Sequence, residues 1–322
     1  MPRILLIKTS SLGDIVHNLP VVTDIHMHIP QATIDWVVEA PFADIPRLHP
    51  QVRNVIQVAT RRWRGALRRR QTWREIRAFK QQLQAENYDV VLDTQGLLKS
   101  VLLTKLAHGP SYGRDVASAR EPLAGYFYDH KFRVARGRHA VVRNRDLAAQ
   151  ALGYPLLQTP PNYGVHAPAE ALPQELSAPY VVCLHGTSRA SKHWPKPYWI
   201  NLVRELVTRG LRPVLPWGDS AEHKRAFDIA ETVPGAVVLP RLPLGRLASV
   251  LAHAKAVIGV DTGLVHLAAA LDVPTVALYT DTSPLLTGVY PPNPKRALNL
   301  GDKGRIPVLI NVLEALTTLR VL

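Results

Sequence analysis

Short apolar runs rich in branched residues alternate along this chain with longer amphipathic stretches, and that rhythm limits its possible folds more than any other feature. Runs such as Ile4-Leu5-Leu6-Ile7 lack the in–out alternation of a half-exposed strand, so both of their faces need cover. In the first half, residues 3–8, 34–39, 55–58 and 88–93 are predicted strands, and 14–28, 73–85 and 95–108 predicted helices. The second half repeats the pattern, with strands at 180–185, 212–216, 236–239, 256–260 and 275–278. Helices are expected there at 197–209, 221–231, 244–254, 263–271 and 306–319. Strands separated by helices pair in parallel and are covered on both faces, which is a doubly wound α/β design. Between the halves, residues 154–179 carry Pro155, Pro160, Pro161, Pro168, Pro173 and Pro179, too many ring-locked positions for a packed element. The expectation is two doubly wound, Rossmann-like α/β domains, 1–165 and 166–322, facing each other across a cleft. The last helix is free to return onto the first domain.

The 322 residues suffice for two domains of ordinary size. No apolar run reaches the roughly 18 residues a membrane span requires. The N-terminal run is broken at Lys8 and is followed by no small-residue cleavage site, unlike a secretory signal. A single cysteine, Cys183, excludes an intrachain disulfide and a cysteine-based zinc site, and its apolar neighbours place it in a core. The cytoplasm is therefore the expected compartment. The net charge of +14 is uneven, because residues 61–80 carry nine basic side chains against the single acid Glu75. Such a field attracts polyanions: nucleic acid, an anionic membrane surface or a phosphorylated substrate.

In an open α/β sheet, ligands bind beyond the carboxyl ends of the strands. Asp14 lies in the turn after the first strand, where a carboxylate can act as a base. The same position suits a helix cap, and the residues leave the two roles equally open. The turn holds one glycine, so it is not the three-glycine dinucleotide fingerprint. In the second half, Asp261-Thr262-Gly263-Leu264-Val265-His266 follows a strand and opens a helix, whose free N–H groups and dipole suit an anion. His266 either faces that ligand or turns into the core. The turn His185-Gly186-Thr187-Ser188-Arg189-Ala190-Ser191-Lys192 offers hydroxyls and a cation to a diphosphate. Glu222 either accepts ribose hydroxyls or simply starts a surface helix. Walker, zincin and serine-hydrolase motifs are all absent, and the thirteen histidines show no ligand spacing.

Four segments in order carry a wider likeness: Lys8-Thr9-Ser10-Ser11-Leu12-Gly13-Asp14, Asp93-Thr94-Gln95-Gly96-Leu97-Leu98-Lys99-Ser100, Ser191-Lys192-His193-Trp194-Pro195 and Asp261-Thr262-Gly263-Leu264-Val265-His266-Leu267. Over almost its full length the chain resembles the bacterial lipopolysaccharide heptosyltransferases. Its opening motif and its Arg61-Arg62-Trp63-Arg64 segment look most like the members that add the first heptose, with those adding the second ranked behind. The resemblance implies a GT-B fold and an inverting transfer from ADP-L-glycero-β-D-manno-heptose to the inner Kdo of Kdo2-lipid A. By the same analogy Asp14 is the general base. Lys192, Thr187, Ser188, Glu222, Asp261, Thr262, Gly263, Leu264 and His266 form the donor site, with Lys192 also stabilising the leaving diphosphate. Ser10, Ser11, Arg61, Arg62, Arg64 and Arg120 meet the acceptor at the cytoplasmic face of an anionic inner membrane. No cofactor and no bound metal are implied.

Two other readings compete. A nucleic-acid binder calls for aromatic residues interleaved with the basic ones or a recognisable module, and residues 61–80 offer only Trp63, Trp73 and Phe79. A GT-B-like nucleotide-sugar epimerase leaves the arginine cluster without a role.

Overall fold

The computed structural model describes every residue except 168–171, 174, 175, 177 and 178. The chain divides into two compact units, Met1–Val165 and His166–Leu322. Part of the proline-rich stretch, Pro168 included, lies outside the described residues.

The first unit is built on β1 (Arg3–Ile7), β2 (Thr33–Glu39), β3 (Val52–Val58), β4 (Val90–Asp93), β5 (Ser111–Arg114) and β6 (His130–Phe132). All its neighbours pair in parallel, in the order β3-β2-β1-β4-β5-β6. The second unit uses β7 (Tyr180–Leu184), β8 (Arg212–Leu215), β9 (Val237–Val238), β10 (Ala256–Val260), β11 (Thr275–Tyr279) and β12 (Ala297–Gly301). Its order is β12-β11-β10-β7-β8-β9, also all parallel. Counted from each unit's first strand the two orders are the same, the doubly wound order of dinucleotide-binding folds. Each sheet reverses direction between its first and fourth strands, and that switch point is where such folds bind ligands. In the first unit it lies between β1 and β4, and in the second between β7 and β10.

Burial explains the apolar runs. Ile4, Leu5, Leu6 and Ile7 of β1 are inaccessible to solvent, as are Val257, Ile258 and Val260 of β10. Each such side chain contributes on the order of 1.5–3 kcal/mol of burial free energy. Trp194 and Trp199 meet edge to face at 5.1 Å in the second core, which also takes in Cys183. That geometry contributes beyond the area buried.

Several expected elements change at their edges. The helix predicted over 14–28 is two, Leu12–Val16 and Leu19–His28, parted at His17 and Asn18 where Pro20 enters the first turn of the second. Pro has no N–H to continue the ladder and so starts a helix instead. Strands β5, β6 and β12 and the helix Ala140–Leu152 carry no clean periodic pattern and were not anticipated. The last helix, Leu309–Thr318, puts Val312, Ala315 and Leu316 into the second unit's core.

Candidate active site

At the switch point of the first unit, the turn after β1 is fastened to the turn after β4. Gln95 Oε1 accepts the N–H groups of Thr9 (3.1 Å) and Ser10 (3.3 Å). Lys8 Nζ donates to Thr94 O at 3.0 Å. The β4 turn is itself braced by buried Asp93, which accepts from Gln95 N, Gly96 N and the Tyr128 hydroxyl. Gly96 is needed there because its φ is +69°, a left-handed conformation that a side chain disfavours.

Asp14 stands at this switch point and is also a helix cap. Its Oδ2 accepts from Ser11 N (2.9 Å) and Ser11 Oγ (3.2 Å), with Arg120 Nη1 at 3.6 Å. The cap and base readings are therefore compatible, since all three contacts run through Oδ2. Burial pushes the carboxyl pKa up. Lys8, the Ser11 hydrogen bonds and Arg120 more than offset it and hold the group below its ordinary value. Asp14 is thus an ionised carboxylate at neutral pH.

Two cations, Lys8 and Arg120, act on it directly. Burial draws the Lys8 ammonium down to about 8, against the carboxylates of Asp14 and Asp93 that favour its charge. Lys99 Nζ donates to Ser10 Oγ at 3.1 Å. Desolvation lowers the Lys99 pKa; the Glu39 carboxylate opposes it, and Arg61, Arg120 and Arg64 lower it further. Burial lowers the Arg143 pKa, Asp14 opposes that, and Arg120 and Arg136 add to it. Of the expected acceptor residues, Ser10 and Arg120 lie here, Ser11 is bound to Asp14, and Arg61 and Arg64 act electrostatically on Lys99. Arg62 is different. It pairs with Glu75, which also accepts from Trp63 Nε1, and so clamps the helix Thr60–Arg64 to Arg70–Leu83.

The second unit builds the opposite arrangement, a cation held by a carboxylate at a helix start. Lys192 Nζ lies 2.6 Å from Asp261 Oδ2, in the turn between β10 and the helix Gly263–Ala270. Thr282 Oγ1 donates to the same oxygen at 2.6 Å, and His266 Nε2 is 3.5 Å from Oδ1. Burial raises the Asp261 pKa, but His266, Lys192 and Thr282 together hold it far below the usual carboxylate range. Thr187 Oγ1 donates to Asp261 O at 3.1 Å, which ties the β7 turn to the β10 turn. Thr187, Lys192, Asp261, Thr262, Gly263 and His266 therefore meet at one switch point, with Leu264 half-buried beside them. His266 resolves inward, against the carboxylate. Ser188 is exposed on the same loop.

Glu222 is fixed rather than free. Its Oε2 accepts from Gly218 N at 2.7 Å, and a Cβ at Gly186 would meet its Oε1 at 2.2 Å. A side chain at 186 would have to displace that carboxylate. Lys8, Gln95, Lys99, Arg143 and Thr282 were missed as site residues. Lys8, Gln95 and Lys99 lie within the motifs quoted above, which was the available signal, whereas Arg143 and Thr282 carried none. Among the described residues no group of three or more His, Cys, Asp or Glu side chains is placed to hold a metal ion.

Residues 76–305 match the model of glycosyltransferase family 9 (heptosyltransferase). The chain is 51% identical over 291 residues to lipopolysaccharide heptosyltransferase 1 of Pseudomonas aeruginosa, covering 89% of this chain and 81% of that one. The structure of E. coli heptosyltransferase WaaC with ADP superposes with a TM-score of 0.90 at 44% identity, covering 98% of both chains. The same enzyme with ADP-2-deoxy-2-fluoro heptose gives a TM-score of 0.85 at 42% identity, again over 98% of both chains. The fold is GT-B, and the chain is a glycosyltransferase that belongs to family 9, the heptosyltransferases.

Proposed function

We propose that the chain transfers L-glycero-D-manno-heptose from ADP-heptose to the inner Kdo of Kdo2-lipid A, the first heptose step of lipopolysaccharide inner-core synthesis. The observation that carries this reading is Asp14: an ionised carboxylate whose contacts among the described residues run through Oδ2, with the cations Lys8 and Arg120 beside it and Lys99 bonded to neighbouring Ser10. Such a set of cations suits an acceptor bearing carboxylates and phosphates. Asp14 Oδ1 takes the proton from the acceptor hydroxyl as its oxygen attacks the anomeric carbon. The carbon–oxygen bond to the diphosphate breaks on the opposite face, so configuration inverts and ADP leaves with the electron pair. Lys192, the hydroxyls of Thr187 and Ser188, and the N-terminus of Gly263–Ala270 stabilise that departing charge. Asp261 orients Lys192 toward it. In this reading a lysine and a helix dipole supply what a divalent cation supplies elsewhere, so no cofactor takes part. The enzyme works as a peripheral protein at the cytoplasmic face of an anionic inner membrane, and no described helix is long and apolar enough to cross it.

The test combines protein, ADP-heptose and Kdo2-lipid A in EDTA, with mass spectrometry of the product. One added heptose is expected. Asp14→Asn is expected to lower turnover by on the order of 10² to 10⁴ while ADP binding persists. Wild-type turnover in that variant removes Asp14 as the base, and a strict need for added metal removes the metal-free mechanism. Donor hydrolysis with transfer to no acceptor overturns the substrate assignment.

A further inference from the structure

The helix Leu98–Leu106 lies on β4 and β1 with Ser100, Val101, Leu103 and Thr104 turned inward. At 3.6 residues per turn, its outer side should carry charges. Instead Leu98, Leu102 and Leu106 form a stripe at intervals of four, flanked on one side by Lys99 and on the other by Lys105. The short helix Pro122–Tyr126 joins this stripe. Glu121 Oε2 accepts from Leu98 N at 2.7 Å and Glu121 N donates to Gly96 O at 3.0 Å. Beneath, Val101, Ala124 and Tyr128 form one small buried cluster. Leu123, Tyr126 and Phe127 therefore stand beside the leucines. All six large apolar side chains are between 37% and 68% exposed. A contiguous apolar surface of this kind marks an interaction site.

Charge identifies the occupant. The acids near the patch are already engaged, Glu121 by Leu98 N, Asp129 by Lys105 and Ser111, and Glu39, which acts on Lys99, by the Thr60 hydroxyl. Lys99, Arg120 and Lys105, the last paired with Asp129, flank it, and the charges of Arg61 and Arg64 also act on Lys99. Aromatic and leucine side chains flanked by Lys and Arg match the boundary of an anionic bilayer, where apolar groups enter the acyl layer and long basic side chains reach back to the headgroups. We infer that the Leu98–Leu106 stripe and the Leu123-Tyr126-Phe127 turn are the face by which this protein docks on an anionic lipid surface, beside the Asp14 site. The inference rests on the reading of the acceptor as a membrane glycolipid, and it names the surface that brings the site to that membrane.

The experiment is co-sedimentation of the full chain with phosphatidylethanolamine–phosphatidylglycerol vesicles and with pure phosphatidylcholine vesicles, at low and high salt. The double variant Leu102→Glu/Phe127→Glu is compared with wild type in each. Wild type should bind the anionic vesicles, and the variant should bind about tenfold more weakly or worse. The variant should keep the wild-type melting temperature and wild-type heptose transfer to a deacylated, water-soluble acceptor. Equal vesicle binding by the two proteins overturns the inference, because charge alone then suffices. So does a wild-type dimer, seen by sedimentation velocity, that the variant breaks, because the face then covers a second copy. A wild type that binds neither vesicle overturns it too. Failure of the substrate assignment shows separately, as absent transfer by a wild type whose vesicle binding is unaffected.

Discussion

The Lys192 ammonium lies 2.6 Å from the Asp261 carboxylate, so the cation assigned to the leaving diphosphate is oriented before any ligand arrives. Thr282 donates to the same oxygen, and His266 faces the other. Preorganisation of this kind lets a charge act without reorganising during the reaction.

Removing Lys192 should therefore have two separable effects. Lys192→Ala is expected to weaken ADP binding about 10- to 100-fold, the value of a charge-assisted hydrogen bond. It should also lower stability by about 1–3 kcal/mol, because Asp261 loses a partner in a poorly solvated place. Adding Asp261→Ala should return most of the stability and none of the affinity. Calorimetric titration with ADP, beside thermal melts, reads both quantities. Full ADP affinity in Lys192→Ala would remove the residue from the donor site.

The pH profile of transfer should have its limbs set by Asp14 and Lys8. Asp14 must be ionised, and its pKa is depressed, so the acid limb should fall below the ordinary carboxylate value near 3.9. Lys8 is held near 8, so the cationic support it gives Asp14 is lost as pH rises through about 8. Lys8→Arg, permanently charged, should erase that basic limb. A limb that stays in place assigns it to another group. Lys8 also has a sign for stability. Between about 8 and its ordinary value near 10.4, the unfolded chain holds a proton that the native protein does not, so Lys8's contribution to stability rises with pH across that window.

Arg145 Nε and Asp24 Oδ2 form a 2.6 Å ion pair with both side chains almost wholly buried. Asp24→Ala leaves a buried guanidinium uncompensated and should cost about 3–5 kcal/mol. Replacing both partners with apolar residues, Asp24→Leu with Arg145→Met, should recover much of that loss in chemical denaturation. Wild-type stability of Asp24→Ala would show that the pair is inert.

Gly186→Ala should drive the Glu222 carboxylate off Gly218 N–H and destabilise the second unit by about 1 kcal/mol. Glu222→Ala in the same chain should relieve the clash, so the double variant melts above Gly186→Ala alone. The reverse order of melting temperatures would refute the brace.

The strand β1 and its turn show what a local pattern can carry. Four consecutive apolar residues can only be buried on both faces, and a turn with an acid after them can only lie at the carboxyl edge of a parallel sheet. Asp14, Lys192 and Asp261 were legible for that reason. Arg62 was not, because its neighbours in sequence are as basic as it is and its partner Glu75 is thirteen residues away. Glu222 was ambiguous until Gly186, thirty-six residues earlier, was found beneath it. β5 and β6 stayed hidden because Ser111–Arg114 and His130–Phe132 are short and weakly apolar, and they become strands only by pairing with an edge already formed.

By itself the sequence determined the class of fold, two successive parallel sheets, and the strand ends at which polar turns had to fall. Period and burial are properties of neighbouring residues, so a linear string records them. Only the tertiary structure decided which of those turns meet. It joined Thr9 to Gln95, Thr187 to Asp261 and Lys192 to Asp261, pairs separated by sixty-nine residues or more. It also set the state of the charges, holding Asp14 ionised and drawing Lys8 down to about 8. Desolvation and Coulomb attraction depend on distance through space, and no spacing along the chain encodes that distance.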